Sequence, residues 1–271
     1  MTSRVMVAAL AACSSIVPTR ARAQDAAEPL LMVGAAGGVS LARDFWTVAP
    51  QLAAVAGQQG SYDTLGLSRR LPAALQLGVQ IAYFRRALGF TFESTWLGLR
   101  SESSCELLGT EYNTSDPNRV NEQTCVSLHG ARQPTSAMTL QLGIALRARY
   151  AGLVQPYVRT SVGIAFLGGN YVQTSGLVSV TGCSQCRRDL IQAERPGVTA
   201  AATMAVGFML RHAPGYQIRI ELRDQLLRLQ EPAAPADPIT LRAPTQWRWQ
   251  HIPNLAMGMD VLLARTHARR Y

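Results

Sequence analysis

Residues 138–150 read Met-Thr-Leu-Gln-Leu-Gly-Ile-Ala-Leu-Arg-Ala-Arg-Tyr. Met138, Leu140, Leu142, Ile144, Leu146 and Tyr150 take one parity, and Thr139, Gln141, Gly143, Ala145, Arg147 and Arg149 take the other. Successive side chains of a β-strand point to opposite faces, so this stretch has one oily face and one polar face. At helical spacing Arg147 falls among the apolar positions, and a helix fits worse.

The same period recurs outward from this stretch. Leu75, Leu77, Val79, Ile81 and Tyr83 oppose Gln76, Gly78, Gln80 and Ala82. Beyond Arg85-Arg86, Leu88, Phe90, Phe92 and Trp96 oppose Gly89, Thr91, Glu93 and Thr95. Val158, Val162, Ile164 and Phe166 oppose Tyr157, Arg159, Ser161, Gly163 and Ala165. Ala200, Met204, Val206, Phe208 and Leu210 oppose Thr199, Thr203, Gly207 and Arg211. Tyr216, Ile218, Ile220, Leu222 and Leu226 oppose Gln217, Arg219, Glu221, Arg223 and Gln225. Leu255, Met257, Met259, Val261 and Leu263 oppose Asn254, Gly258 and Asp260, and a weaker first segment sets Leu31, Val33, Val39 and Leu41 against Gly34, Ala36, Gly38 and Ser40.

Each of these eight segments has about the 9–11 residues that cross a bilayer at a tilt. The connections alternate in length: 42–74, 100–137, 168–197 and 229–250 are long, whereas 84–87, 151–155 and 212–215 are short. Short turns on one side and long loops on the other mark bacterial barrels, with the long loops outside. The expected fold is therefore all-β: an eight-stranded antiparallel up-and-down transmembrane β-barrel with four long outer loops and three short periplasmic turns.

Polarity separates this from a soluble lipocalin-like carrier, which turns apolar residues inward around a ligand. Here the less apolar parity, diluted by Gly and Ala, makes only a sparse polar surface, and apolar stripes facing water aggregate. Turned inward, Glu93, Arg147, Arg149, Arg159, Arg219, Glu221, Arg223 and Asp260 are expected to pair across a narrow lumen, since isolated charges in a low-dielectric interior are costly. Tyr83, Trp96, Tyr150, Tyr157, Phe166 and Tyr216 fall near strand ends and fit interfacial girdles.

Composition agrees. The 271 residues are 48% hydrophobic and 16% charged, with 22 Gly and 14 Pro, which suits one domain of many short strands and tight turns better than a helical bundle. No stretch makes a spanning helix: 160–186 is uncharged but rich in Gly, Ser, Thr, Asn and Gln, and 198–210 is too short. All 26 basic residues are Arg and the formal charge is +9, but they are spread along the chain without a basic run interleaved with aromatics, so no nucleic-acid partner is expected.

Residues 1–4 are a short basic start, 5–17 are small or apolar, and Ala21-Arg22-Ala23 is an A-x-A cleavage site. The expected organisation is a signal peptide over 1–23, a short lead over 24–30, an outer-membrane barrel over 31–265 and a tail over 266–271. Loss of Arg4, Arg20 and Arg22 would reduce the charge from +9 to +6. Leu10-Ala11-Ala12-Cys13 offers a second processing route, a lipoprotein box with Cys13 as the lipidated terminus.

Export leaves Cys105, Cys125, Cys183 and Cys186, an even number in an oxidising compartment. Cys105 with Cys125 and Cys183 with Cys186 each share one long connection, so neither bridge needs to cross the barrel. Cys183-Ser184-Gln185-Cys186 has no second pair at metal spacing and no surrounding βαβ pattern, so neither a metal nor a cofactor is expected.

With Gln155-Pro156-Tyr157-Val158 opening a strand that continues Ser161-Val162-Gly163, with the strand containing Glu221-Leu222-Arg223-Asp224, and with Asn254-Leu255 and Met257-Gly258 in the last strand, the chain resembles the small outer-membrane barrels of the OmpA-like β-barrel superfamily. The resemblance implies a monomer in outer-membrane lipid, folded by the barrel-assembly machinery, and a role as structural anchor, adhesin, small pore or lipid-modifying enzyme. Relatives often end on an aromatic that closes the last strand. Here Tyr271 is terminal, but residues 265–270 do not alternate.

Candidates for chemistry are few. The histidines are His129, His212, His251 and His267. An outer-leaflet lipid-modifying site would set His251 at the rim with Ser94 or Glu93, but no nucleophile motif accompanies them, and no catalytic residue is expected. Eight strands leave an interior just wide enough for side chains, which disfavours a narrow pore for small solutes. The long loops remain as the functional surface, for a structural role or for an extracellular ligand. The second carries Glu102, Glu106, Glu111, Asp116 and Glu122, suited to a cation, to a basic partner or simply to solvent.

Overall fold

The structure, a computed structural model, describes residues 30–55, 60–110, 119–148, 153–180, 182–194, 197–213 and 215–263. Residues 1–29 with Cys13, residues 264–271 with His267 and Tyr271, and Arg149, Tyr150, Glu111 and Asp116 lie outside the described residues. In chain order the elements are β1 (Leu30–Ser40), β2 (Arg43–Ala54), β3 (Tyr62–Leu71), β4 (Ala74–Arg85), β5 (Leu88–Leu97), β6 (Ser101–Thr110) and α1 (Val120–Leu128). Then follow β7 (Arg132–Gln133), β8 (Ala137–Arg147), β9 (Val154–Leu167), β10 (Thr174–Val180), β11 (Cys183–Ile191), β12 (Val198–Ala213), β13 (Tyr216–Pro232) and β14 (Thr245–Leu263).

Eight strands close an antiparallel barrel in the order β1-β14-β13-β12-β9-β8-β5-β4. First and last strands meet along their length, from Leu31 opposite Leu263 to Ser40 opposite Asn254, so no edge is left in the wall. The alternation sorts as the pleat requires. Leu75, Leu77, Phe90, Leu142, Val162, Phe208, Leu222 and Met257 stand exposed on the outer face, while Gln80, Glu93, Gln141, Arg159, Arg219, Glu221 and Asp260 are buried within. An apolar belt around a polar interior is the inside-out arrangement of a barrel solvated by lipid. Glycine lets β8 and β9 approach closely: a Cβ at Gly163 would lie 1.9 Å from the Leu140 carbonyl oxygen, and one at Gly143 2.3 Å from that of Thr160.

Two expectations need correction. The long connections are not open loops. β2, β3, β6 and β7 form a four-stranded sheet, and β10 pairs with β11 in a hairpin that packs on α1. These stretches gain their backbone partners within each connection and, between β3 and β6, across two of them. Second, 229–250 is not all loop: β13 and β14 stay paired to Pro232 opposite Thr245, well past Asn254, where β1 ends its pairing with β14.

Cys105 on β6 is bonded to Cys125 on α1, and Cys183 to Cys186 on β11. The first closes a span of 20 residues around a helix with little amphipathic character of its own. Replacing Cys105 and Cys125 by Ser is expected to lower the stability of this layer by about 3 kcal/mol on the chain-entropy account. Proteolysis between β6 and β7 at increasing urea, with and without reductant, checks it. Unchanged protection would show that packing alone holds α1.

Candidate functional site: the filled lumen and the layer above it

The lumen is built from inward positions on β5, β9, β13 and β14. Arg159 pairs with Glu93 and, at 3.3 Å, with Glu221. Arg223 pairs with Glu221 and, at 2.7 Å, with Glu93. Arg219 lies 3.5 Å from both Glu221 and Asp260. Three guanidiniums therefore face three carboxylates, all with side chains no more than 3% exposed. The cluster is electrically balanced, which buried charge requires. The polar parity supplies further partners that charge alone did not single out. Tyr157 donates to Glu221, Arg219 donates to Gln80, and Gln217 donates to Asp260 at 3.2 Å.

Arg147 is placed elsewhere. It ends β8 beside the turn between β4 and β5, where it donates to the Arg86 carbonyl at 2.9 Å and lies 4.6 Å over the Phe84 ring. At the end of the strand its side chain meets a carbonyl and a ring face of that turn. Tyr157 also departs from expectation: it points inward and is buried, so it belongs to the lumen and not to a girdle. Tyr83, Trp96, Phe166 and Tyr216 do face outward.

The ion-pair layer is covered at both ends. At the turn end, Met32, Ala82, Phe84, Ala145, Tyr157 and Met209 form an apolar cluster. Towards the loop end, Gln76 donates to Asn254 at 2.6 Å and Ser161 to Gln141 at 2.7 Å. Above them the main hydrophobic core joins barrel residues Leu97, Leu167, Leu227 and Ile252 to Phe45, Trp46, Leu65, Leu67 and Tyr171 from the connections. The β2-β3-β6-β7 sheet thus sits on the barrel mouth as a platform.

Arg69 on β3 is buried in that platform, with no ion pair to a carboxylate among the described residues. It donates to Ser103 Oγ at 3.2 Å and to the Gln173 carbonyl at 2.9 Å, and it lies 5.4 Å from the Trp46 ring centre. Burial lowers its pKa to about 10, so it stays charged at neutral pH. The length of the 42–74 connection hides it, although Leu65, Leu67, Arg69 and Leu71 share one parity at period two. The described loop acids do not converge. Glu102 is 3.6 Å from Arg132, Glu122 is 2.5 Å from Arg119, and Glu106 is exposed on β6.

The residues of the sequence-derived lipid-modifying site are kept apart. Glu93 is inside the lumen and Ser94 is on the outer wall of β5, separated from β14 by β4 and β1. His251 instead meets Asp224, Nδ1 to Oδ2 at 2.7 Å, on the outer face. His129 lies 3.3 Å from Ser104 Oγ at the platform surface. Among the described residues, no three His, Cys, Asp or Glu side chains gather as a metal site.

Against known structures, the chain is similar to the outer membrane protein OprG from Pseudomonas aeruginosa at 10% identity, with 88% of this chain and 97% of that chain covered and a TM-score of 0.48. It is similar to Neisserial surface protein A at 8% identity over 86% and 96% of the two chains, TM-score 0.40. It is also similar to Ail of Yersinia pestis, solved with the heparin analogue sucrose octasulfate, at 10% identity over 87% and 97%, TM-score 0.36. No family model matches the sequence, and no curated protein matches it.

Proposed function

We propose that this chain is an integral outer-membrane barrel whose loop end faces outward and whose work is to present the platform as a surface for binding or anchoring, while the lumen conducts nothing. One observation carries the reading: the lumen is filled by a charge-balanced layer between two apolar layers, the upper of which is the core of the platform itself. A wall whose interior and mouth share one packed core holds surface elements rigidly, which is what a binding surface needs. A soluble carrier would need an interior cavity and a polar exterior, whereas Leu75, Leu142, Val162 and Met257 are each more than 60% exposed on the outer wall. No catalytic step belongs to this reading.

Planar-bilayer recording of the purified full chain is expected to give no steady conductance, and protease applied to intact cells is expected to cut the platform before the barrel. A stable, ion-selective channel would promote the pore reading. Platform cleavage only after the outer membrane is permeabilised would reverse the orientation.

A further inference from the structure

The outer face of the β13–β14 ribbon carries a group of residues that neither the lumen nor the platform core uses. Leu255, Met257, Met259 and Val261 of β14 belong to the apolar belt. On the same parity follow Pro253, His251, Trp249 and Trp247, paired respectively with Asp224, Leu226, Arg228 and Gln230 of β13. Trp249 is six residues past Leu255, about 20 Å along a strand rising 3.4 Å per residue. At a tilt near 45° that is about 14 Å above the belt. The headgroup layer of an ordinary phospholipid leaflet is only about 5–8 Å deep on each side of the hydrocarbon. The two indoles therefore stand above the zone where a girdle aromatic such as Trp96 works.

Trp247 and Trp249 are 42% and 46% exposed. The Arg228 guanidinium lies 5.8 Å over the Trp247 ring, and Arg43, on the β1 side, donates to the His251 carbonyl. No carboxylate of the described residues lies within ion-pairing distance of Arg43 or Arg228, because the acid of this face, Asp224, is engaged by His251. The face thus joins two exposed indoles, the Arg228 guanidinium against one of them, and the Arg43 guanidinium at the His251 carbonyl two residues nearer the belt than Trp249, all continuous with a lipid-facing wall.

We propose that this face binds the phosphorylated sugar headgroup of a glycolipid in the outer leaflet. Guanidiniums suit phosphate oxygens geometrically as well as electrostatically. The flat indole faces suit the apolar faces of pyranose rings, and the height fits a headgroup several sugars tall. The inference rests on the outward orientation proposed above.

The test uses the full-length protein folded in detergent micelles, titrated separately with lipopolysaccharide, with its dephosphorylated form and with phosphatidylglycerol, and read by indole emission and by native mass. Wild type is expected to bind lipopolysaccharide saturably. The Arg43→Ala, Arg228→Ala double variant should bind about twenty-five-fold more weakly, taking about a factor of five for each arginine near an anionic surface. Trp247→Ala with Trp249→Ala should weaken binding and abolish the emission change. Arg228→Ala alone, at an exposed position, guards against misfolding of the double variant, and heat-modifiable gel mobility confirms the barrel in each. Equal affinity of wild type and the arginine variants would overturn the proposal. So would phosphatidylglycerol or the dephosphorylated glycolipid binding as tightly as lipopolysaccharide. A micelle has no inner and outer leaflet, so these outcomes stand apart from the cell-surface proteolysis that tests orientation.

Discussion

Glu221→Ala should destabilise the barrel by about 3–5 kcal/mol, the range found when one partner of a fully buried charge group is removed. Glu221 meets Arg159, Arg219 and Arg223 and accepts from Tyr157, so its loss leaves three guanidiniums facing Glu93 and Asp260 alone. Water cannot enter freely to compensate, because apolar layers close the lumen above and below. Glu106→Ala on the exposed face of β6 is the control and should change stability by no more than about 0.5 kcal/mol. Urea titration in micelles, scored by heat-modifiable mobility, compares the two. The double variant Glu221→Ala, Arg159→Ala should recover part of the loss, since removing both partners relieves the unpaired charge. Equal midpoints for Glu221→Ala and Glu106→Ala would mean that the polar parity is not inside.

Trp46→Ala should have an effect of similar size in a different layer, about 3–5 kcal/mol for emptying a buried Trp site. Trp46 is buried in the core shared by platform and barrel, and its indole N–H donates to the Tyr171 carbonyl at 2.9 Å. Its ring also faces the buried Arg69, whose other partners are uncharged oxygens. The expected result is a platform that is nicked rapidly by protease above a barrel that keeps its mobility shift. Because Trp46 and Glu221 share no partner, their effects should add. A barrel that unfolds together with the platform would show that the mouth is needed to hold the wall.

How much of this could be read beforehand depends on how local the signal is. Residues 138–147 announce their two faces through five consecutive alternations, and β4, β5, β12 and β13 do the same. The lumen residues were legible as a set because Glu93, Arg159, Arg219, Glu221, Arg223 and Asp260 share that inward parity. Arg147 shares the parity too, yet it lies beside Phe84 and Arg86 at the strand end. Parity records which side a residue faces and not how deep it lies.

The chain alone determined the membrane-type wall. Period-two alternation fixes the face of each side chain, lipid rewards only the apolar face, and the alternation of short turns with long connections leaves an up-and-down order. Tertiary structure alone decided the rest. The β2-β3-β6-β7 sheet draws strands from 42–74 and 100–137, and Arg69 is buried against Gln173 and Thr174, more than a hundred residues later. Arg43 meets His251 across a separation of 208 residues. The stability of such pairings comes from partners far apart in sequence. No window of the chain carries their pattern, and only closure of the barrel, which brings the connections together above one mouth, supplies them.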